Sequence, residues 1–360
     1  MGIIRILLIA DTHLGFDLPF RPRIQRRRRG NDFFSNFERA LAPALRGKVD
    51  CVVHGGDILY RSKVPAQLVD MAFKPLKKVA DAGIPVYVVP GNHERSSIPC
   101  TLLANHPGIH IFSRPKTFTF QKNGYRLALA GFPYQRGNVR KHLPELLEQT
   151  GWHTGNADGY VLCMHHCFEG ATVGPNNYTF RYDDDVIRAA DIPEGFIALL
   201  SGHIHRHQVL TRDLQGKPLA APVLYPGSVE RTTFAEKDEH KGYIILEIET
   251  GVISRGSIKR WRFNELPARP MTRLELNAEG ISSIKLASWI KNSVRKLPAD
   301  SIVQCKLHGT LTPEALNVIS ASSIRALVPQ TMNISTIPVD YIHYSGQFGR
   351  NRFHERQATG

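Results

Sequence analysis

Along the first third of the chain, uninterrupted apolar runs alternate with stretches in which apolar residues recur at helical spacing. The uninterrupted runs are residues 3–10, 49–53 and 84–89. Their length and β-branched content predict strands that are buried on both faces. The stretches between them predict helices at about residues 33–45 and 66–82, the first with Asp32 as its N-cap. This β-α-β-α-β rhythm is typical of a layered α/β domain.

From residue 109 onward the apolar segments become shorter, and several alternate with polar positions. We predict strands at residues 117–120, 125–132, 160–164, 195–200, 208–212, 222–225 and 242–249. One helical segment, residues 139–149, lies among them. Together these segments predict a second sheet, and therefore an α/β sandwich.

The run Leu266-Pro267-Ala268-Arg269-Pro270 predicts a linker, because proline interrupts both helices and strands. Beyond it we predict strands at 272–276, 302–307 and near 333, with helices near 282–295 and 313–321. This pattern forms a small β-α-β-α-β module. We therefore expect a large domain at residues 1–265, a small α/β domain at 266–345 and a flexible basic tail at 346–360.

The charge of the chain changes this picture more than the rest of its composition does. The net charge is +14 and the pI is near 9.7. Such a surplus favours a polyanionic partner, with nucleic acid first and an anionic membrane surface second. A basic soluble enzyme without such a partner is the remaining interpretation.

Cysteine usage and the length of the apolar runs bear on location. The five cysteines form no CxxC pair, which is typical of reduced thiols in the cytosol. The first apolar run passes directly into Asp11-Thr12-His13 without a cleavage site of small residues, so we interpret it as a strand rather than a signal peptide. No run approaches the length of a membrane span. We expect a cytoplasmic protein that does not associate with membranes.

Two histidines follow the predicted strand at residues 195–200. In an extended backbone, His203 and His205 point to the same side and reach one small cluster of ions. This pair alone is a weak sign of a metal site, but four earlier strand ends also carry ligand-type residues. The full set is Asp11, His13, Asp57, Asn92, His93, His165, His203 and His205.

Carboxylate, amide and imidazole groups without a thiolate favour Mn, Fe or a Zn-like ion over a structural zinc. The set is too large for one ion and suits two ions that share a carboxylate, an arrangement that stabilises in-line displacement at a phosphoryl group. Each residue also has a structural interpretation: Asp11 as a loop cap, Asn92 as a turn residue, and His165 or His166 as a core histidine. Their occurrence in this order, each at the end of a hydrophobic strand, favours the metal site.

These residues resemble the signature of the calcineurin-like metallophosphoesterases: Asp11-x-His13, Gly56-Asp57, Gly91-Asn92-His93-Glu94, His165 and Gly202-His203-x-His205. More narrowly, the chain resembles the SbcD-type nucleases of DNA double-strand-break repair. That likeness rests on DTHLG at 11–15, DFFSNFERAL at 32–41, GGDILYRSKVP at 55–65, YPGSVERTTFAE at 225–236 and KGYIILEIE at 241–249. It covers most of residues 1–265, and the terminal module resembles the DNA-capping domain of the family.

The resemblance implies a four-layer sandwich, in which two central β-sheets are flanked by helices, and a small C-terminal α+β capping domain. It also implies two divalent ions, expected to be Mn²⁺, with a hydroxide that bridges them. By position, Asp11, His13 and His205 would hold one ion, Asn92, His165 and His203 the other, and Asp57 would bridge. His165 is preferred over His166 because the ligand in the family directly closes its strand. His93 would be the general acid that protonates the leaving oxygen.

One position departs from the family, because some members carry a second functional histidine where this chain has Tyr60. The balance of exonuclease against endonuclease action therefore stays open. The arginines expected to contact a phosphate backbone, unless their loop is merely solvated, are Arg21, Arg23, Arg26, Arg27, Arg28 and Arg29. The family also implies a homodimer and an SMC-like ATPase partner of the SbcC type, although little chain after residue 345 remains to dock it.

Three functions fit the sequence. The first is a metal-dependent DNA nuclease, exonuclease or endonuclease, that acts on DNA ends in repair or recombination. The second is a metallophosphoesterase for a small nucleotide or other phosphodiester, against which the basic charge and the terminal module argue. The third is a non-catalytic DNA-end binding protein, against which a complete ligand set beside His93 argues. We predict the nuclease.

Overall fold

The structure, a computed structural model, describes residues 2–18, 27–251 and 258–338. Within them the helices are α1 (Arg29–Leu45), α2 (Ala66–Asp81), α3 (Thr101–Ala104), α4 (Val139–Thr150), α5 (Ser283–Val294), α6 (Pro313–Val318) and α7 (Ala321–Ala326). The strands are β1 (Ile3–Ile9), β2 (Cys51–His54), β3 (Val86–Val88), β4 (Ile109–Ile111), β5 (Lys116–Lys122), β6 (Tyr125–Gly131), β7 (Gly159–Met164), β8 (Cys167–Phe168), β9 (Thr172–Val173), β10 (Tyr178–Thr179), β11 (Val186–Ile187), β12 (Phe196–Ser201), β13 (Gln208–Arg212), β14 (Pro218–Tyr225), β15 (Gly242–Glu249), β16 (Ile258–Glu265), β17 (Met271–Asn277), β18 (Ile302–His308) and β19 (Asn333–Pro338).

Within the described residues up to Ala268, two six-stranded sheets form the body of a first compact unit. Their strand orders are β16-β15-β1-β2-β3-β4 and β13-β14-β12-β7-β6-β5. Strands β1 to β4 run parallel in the first sheet, as do β6, β7, β12 and β14 in the second. Because the carboxyl ends of parallel strands meet at one edge, the loops after β1, β2, β3, β7 and β12 can converge.

The side chains of β1 alternate between two cores. Ile4, Ile6 and Leu8 are buried between the two sheets, together with residues of β7 and β12. Leu7 and Ile9 face the other way and pack against helices α1 and α2. A third core lies under α4 on the far face of the second sheet. The predicted four-layer α/β sandwich is therefore confirmed.

The start of helix α1 corrects the sequence analysis. The helix begins at Arg29 rather than at residue 33, and Asp32 lies within its first turn instead of capping it. A carboxylate in the first turn still interacts favourably with the helix dipole. The arginine run therefore ends inside the helix, because Arg29 stacks over the Phe16 ring at 5.0 Å and is drawn into the fold.

The second compact unit contains Arg27 and the described residues from Arg269 to 338. Its parallel strands β17, β18 and β19 pack with helices α5 to α7 around a core of their own. The helix predicted at 313–321 is two helices, because the Ser320 hydroxyl accepts a hydrogen bond from the Ser323 amide and caps α7. The predicted tail at 346–360 lies outside the described residues.

Candidate metal centre

The loops after five parallel strands bring the predicted ligands to one place. Asp11 and His13 follow β1, Asp57 follows β2 and Asn92 follows β3, whereas His165 follows β7. His203 and His205 follow β12. Three sets of ligand atoms, each within 4.8 Å of one another, occur among the described residues: Asp11, His13 and His205; His13, Asp57 and His93; and Asp11, Asp57 and His165.

The first ligand group is Asp11, His13 and His205. His13 Nε2 and His205 Nε2 lie 2.9 Å apart. Burial, and then the neighbouring His205, hold the pKa of His13 well below its ordinary value, so this imidazole is neutral and offers a lone pair. Burial also raises the pKa of Asp11, although His165 and His205 oppose that effect. A divalent cation fits this group, because it would offset the cost of the buried carboxylate and take up both imidazole nitrogens.

The second ligand group is Asn92, His165 and His203. Asn92 Oδ1 lies 3.0 Å from His165 Nε2 and 3.0 Å from His203 Nδ1. Burial lowers the pKa of His203 to about 3, and His165 adds to this effect, so His203 is also neutral. One amide oxygen and two imidazole nitrogens thus converge within hydrogen-bond distance, a donor set that suits a second divalent ion.

Asp57 lies between the two groups. Its Oδ2 is 3.4 Å from His165 Nε2, and its carboxylate is in ligand reach of His13 as well. Burial raises the pKa of Asp57, but His165, His13 and His93 together outweigh burial and hold that pKa well below its usual range. The carboxyl is therefore an anion in a position to contact ions of both groups.

His93 lies at the open side of the cluster, with 33% of its side chain exposed. Its backbone amide donates to Asp57 Oδ1 at 2.9 Å, and its Nδ1 lies 2.5 Å from the Tyr60 carbonyl oxygen. Because a carbonyl oxygen only accepts, Nδ1 carries a proton. Nε2 is left as the atom that can exchange a proton with a bound substrate.

Comparison with known proteins decides the family. Residues 4–207, more than half of the chain, match the calcineurin-like phosphoesterase model. The chain belongs to this family. The cluster therefore occupies a metallophosphoesterase fold, and its residues are candidate ligands for a pair of metal ions.

Relatives of this calcineurin-like phosphoesterase include DNA double-strand break repair proteins. Mre11 of Haloferax volcanii is 29% identical over 327 residues, which cover 87% of this chain and 64% of that protein. Mre11 of Thermoplasma acidophilum is 25% identical over 324 residues, which cover 85% of this chain and 77% of that protein. YhaO of Bacillus subtilis, described as an uncharacterised metallophosphoesterase, is 28% identical over 253 residues. These residues cover 68% of this chain and 57% of YhaO. The chain thus spans less than two thirds of the Haloferax and Bacillus proteins.

Three buried side chains that the sequence analysis did not assign hold the ligands of this phosphoesterase in place. Glu94 accepts hydrogen bonds from the amides of Asp57, Leu59 and Gly91, at 2.6–3.1 Å, and so ties the loops after β2 and β3 together. Glu236 Oε1 lies 3.2 Å from His205 Nδ1. The fully buried Lys241 in turn contacts Glu236 Oε2 at 2.7 Å. All three residues lie within the sequence motifs quoted above, and this was the one signal in the sequence that pointed to them.

Four candidate ligands of this centre have a strained backbone conformation. Asp11, His13, Asp57 and His203 have φ of 50°, 43°, 53° and 82°, in the left-handed region that non-glycine residues rarely adopt. The neighbouring position 91 accepts only glycine, because a Cβ there would collide with the Asp57 carboxylate. Strain at four candidate ligands is a mark of a functional site, since the surrounding fold must hold these conformations.

The premise used for the His203-x-His205 pair was wrong. Strand β12 ends at Ser201, and the positive φ of His203 means that the pair does not lie in an extended backbone. The two imidazoles instead face different ligand groups. His166, the alternative to His165, is buried away from the cluster, where its Nε2 accepts from the Gln135 amide at 3.1 Å.

The arginine run is only partly described. Arg21, Arg23 and Arg26 lie outside the described residues. Arg28 pairs with Asp17 at 3.1 Å, and Arg29 donates to the Arg231 carbonyl oxygen. Arg27 Nη1 lies 3.8 Å from Asp300 Oδ2 in the second unit. These three arginines already have partners within the protein, and DNA contact by the run stays a prediction.

Among the described residues, no helix combines the length and the apolar character that a membrane span requires.

Proposed function

We propose that this metallophosphoesterase is a metal-dependent DNA nuclease that hydrolyses phosphodiester bonds at DNA ends in repair or recombination. The observation that carries the proposal is the position of Asp57, within ligand reach of both groups and hydrogen-bonded to His93. This arrangement suits phosphodiester hydrolysis with two ions. The relatives named for DNA double-strand break repair, and the net charge of +14, support DNA as the substrate.

Each ligand group would hold one ion. Asp11, His13 and His205 would hold one ion, Asn92, His165 and His203 the other, and Asp57 both. When bound, two divalent ions, with Mn²⁺ as the expected metal, supply Lewis-acid activation of the phosphoryl group and of water. The mixture of oxygen and nitrogen donors without thiolate supports Mn²⁺.

His93 would protonate the leaving oxygen of the DNA strand. Its Nδ1–H is engaged with the Tyr60 carbonyl oxygen, which fixes the plane of the ring and directs Nε2 to the open side of the cluster. A proton on Nε2 is then the one available to the leaving group. The Asp57 carboxylate, 3.8 Å from Nε2, would stabilise the protonated imidazole.

The assembly is also proposed from the family resemblance. Residues 1–265 would carry the nuclease activity and residues 266–345 would cap DNA. A homodimer and an SMC-like ATPase of the SbcC type would be the protein partners. The five cysteines, none of them in a disulfide, support a cytoplasmic location.

A second candidate function is hydrolysis of a small phosphodiester, because one relative of similar identity is described only as an uncharacterised metallophosphoesterase. Metal-free, Mn²⁺-loaded and Mg²⁺-loaded protein, incubated with end-labelled duplex and hairpin DNA and with bis-p-nitrophenyl phosphate, separates the two functions. We expect Mn²⁺-dependent DNA cleavage that falls about 10²- to 10⁴-fold in His93→Ala. The surface substitution His153→Ala is the matched control. Hydrolysis of the small ester alone, with intact DNA, would contradict the nuclease proposal.

A further inference from the structure

We propose that a cavity beside His93 is a subsite for a second backbone phosphate of the DNA strand under cleavage, an inference that rests on the proposed function. The cavity has a volume of about 200 Å³, and Tyr60, Arg61, Lys63, Val64 and Leu68 are among its lining residues. Most of its lining residues follow β2 and Asp57 directly in the chain, so the cavity lies at the same edge of the first sheet as the candidate metal centre.

Tyr60 is the wall between the cavity and the centre. Its ring centroid lies 5.9 Å from that of His93 and 6.2 Å from that of His13. Its carbonyl oxygen holds His93 Nδ1. A strand with one phosphate at the metal centre therefore passes Tyr60 with its next nucleotide, and that nucleotide reaches the cavity.

Charge selects the ligand of this cavity. Arg61 and Lys63 are exposed, and within the part of the chain that the structure describes neither side chain forms a hydrogen bond or an ion pair. No acidic residue is among the described lining residues. Two unpaired cations on one wall, without a neighbouring carboxylate, attract an anion of the phosphate class.

The remaining walls favour a nucleotide over a free phosphate ion. Leu18, Val64 and Leu68 give the cavity an apolar side, and Tyr60 adds an aromatic residue to its lining. Apolar and aromatic walls beside cations suit a sugar or base attached to the phosphate, because bases pack on such surfaces without sequence preference. The subsite would therefore bind DNA of any sequence.

A larger cavity, of about 410 Å³, does not have this character. It is lined by Arg206, Asp238 and Glu239, among others. The Arg206 guanidinium is already paired with Glu239 at 3.1 Å. A cavity with carboxylates and a neutralised arginine does not select a phosphate.

The test uses the full-length double variant Arg61→Ala/Lys63→Ala with Mn²⁺. Its matched control is Arg46→Ala/Lys48→Ala, which removes the same charge from exposed positions before β2, at the opposite end of that strand. The measured quantities are kcat/KM on a labelled single-stranded oligonucleotide, kcat/KM on bis-p-nitrophenyl phosphate, and the slope of log kcat/KM for DNA against log salt concentration. Thermal unfolding of every variant checks its folding.

We expect the Arg61/Lys63 variant to lose about tenfold more kcat/KM on DNA than on the small ester. Its salt slope should become shallower by about 1, the change expected for one lost phosphate contact. The charge-retaining variant Arg61→Lys should keep most of the DNA cleavage that Arg61→Ala loses, because lysine retains the cation.

Equal losses on DNA and the small ester, or an unchanged salt slope, would overturn the subsite. The same holds if the Arg46/Lys48 control loses as much DNA cleavage, because the effect would then come from overall charge. A wild-type protein that hydrolyses the small ester but leaves DNA intact is a different result: it removes the proposed function, and the subsite with it.

Discussion

The two ligand groups of the candidate metal centre differ in what holds their imidazoles. In the first group, His205 Nδ1 lies 3.2 Å from Glu236 Oε1, and the buried Lys241 lies 2.7 Å from Oε2 of the same carboxylate. In the second group, His165 Nδ1 lies 2.7 Å from the Gly55 carbonyl oxygen. A buried ionic pair supports one imidazole, and a neutral backbone group supports the other.

This difference predicts different sensitivities for the two ions. A carboxylate behind a ligating imidazole makes it a stronger base than a carbonyl does. Glu236 accordingly raises the pKa of His205, although burial opposes the effect. We therefore expect ion binding in the first group to depend on a side chain 31 residues away in sequence, and ion binding in the second group to depend on the loop that follows β2.

Substitution of Asp57, the residue that the two ligand groups share, should weaken both groups alike and cause the largest loss of DNA cleavage. Asp57→Asn keeps the shape of the side chain but removes the charge that would contact both ions. We expect both ions to bind more weakly and DNA cleavage to fall by about 10³-fold or more. Metal content by mass spectrometry and initial rates of cleavage measure the two effects. If one ion still binds with unchanged affinity, Asp57 does not join the groups.

A smaller effect, confined to one group, should follow Glu236→Gln. The amide removes the carboxylate behind His205 while Glu239, 2.9 Å from Lys241, keeps that lysine paired. We expect one Mn²⁺ to bind about 10–100-fold more weakly and the other to be unaffected. Calorimetric titration separates the two events, with Glu265→Gln on the surface as the control. Equal weakening of both ions would show that Glu236 supports the whole centre rather than the first group.

The smallest effect concerns His54, which connects the loops of Thr12 and Asp57. Its Nε2 lies 3.1 Å from Thr12 Oγ1, and its Nδ1 accepts from the Gly56 amide at 3.2 Å. Burial lowers the pKa of His54 from 6.5 to about 3. Below about pH 6.5, His54 therefore binds a proton in the unfolded chain but not in the folded chain. Stability is lost as the pH falls from about 6.5 towards 3.

His54→Gln should remove this contribution. The slope of the free energy of unfolding against pH, between about pH 4 and 6, should decrease by about 1.4 kcal/mol per pH unit. Urea unfolding of the metal-free protein at several pH values measures it, and His153→Gln at an exposed position is the control. A slope that matches the wild type would mean that His54 is protonated in the folded protein.

The sequence predicted the parts of this centre that depend on local pattern. Asp11, Asp57 and Asn92 each follow a hydrophobic run, and the structure brings them together because those runs are neighbouring strands. The roles of Glu94 and Glu236 depend on contacts across 35 and 31 residues, which no local pattern reports.

The corrections at the start of helix α1 and at His203 have the same origin. The arginine run has the composition of a loop, but Arg29 extends helix α1 because its side chain packs on Phe16. The backbone at His203 turns to a φ of 82° because its amide donates to the Asp11 carboxylate at 3.1 Å. In both places a tertiary contact overrides the local preference of the chain.

The most direct test of the central claim, that two ligand groups share Asp57 in one two-ion centre, is the number of Mn²⁺ ions bound per chain after loading and removal of free metal. We expect two ions for the wild type and one for His205→Ala, which keeps the second group intact. A single ion in the wild type, or equal ion content in the wild type and His205→Ala, would show that the two groups do not form a two-ion centre.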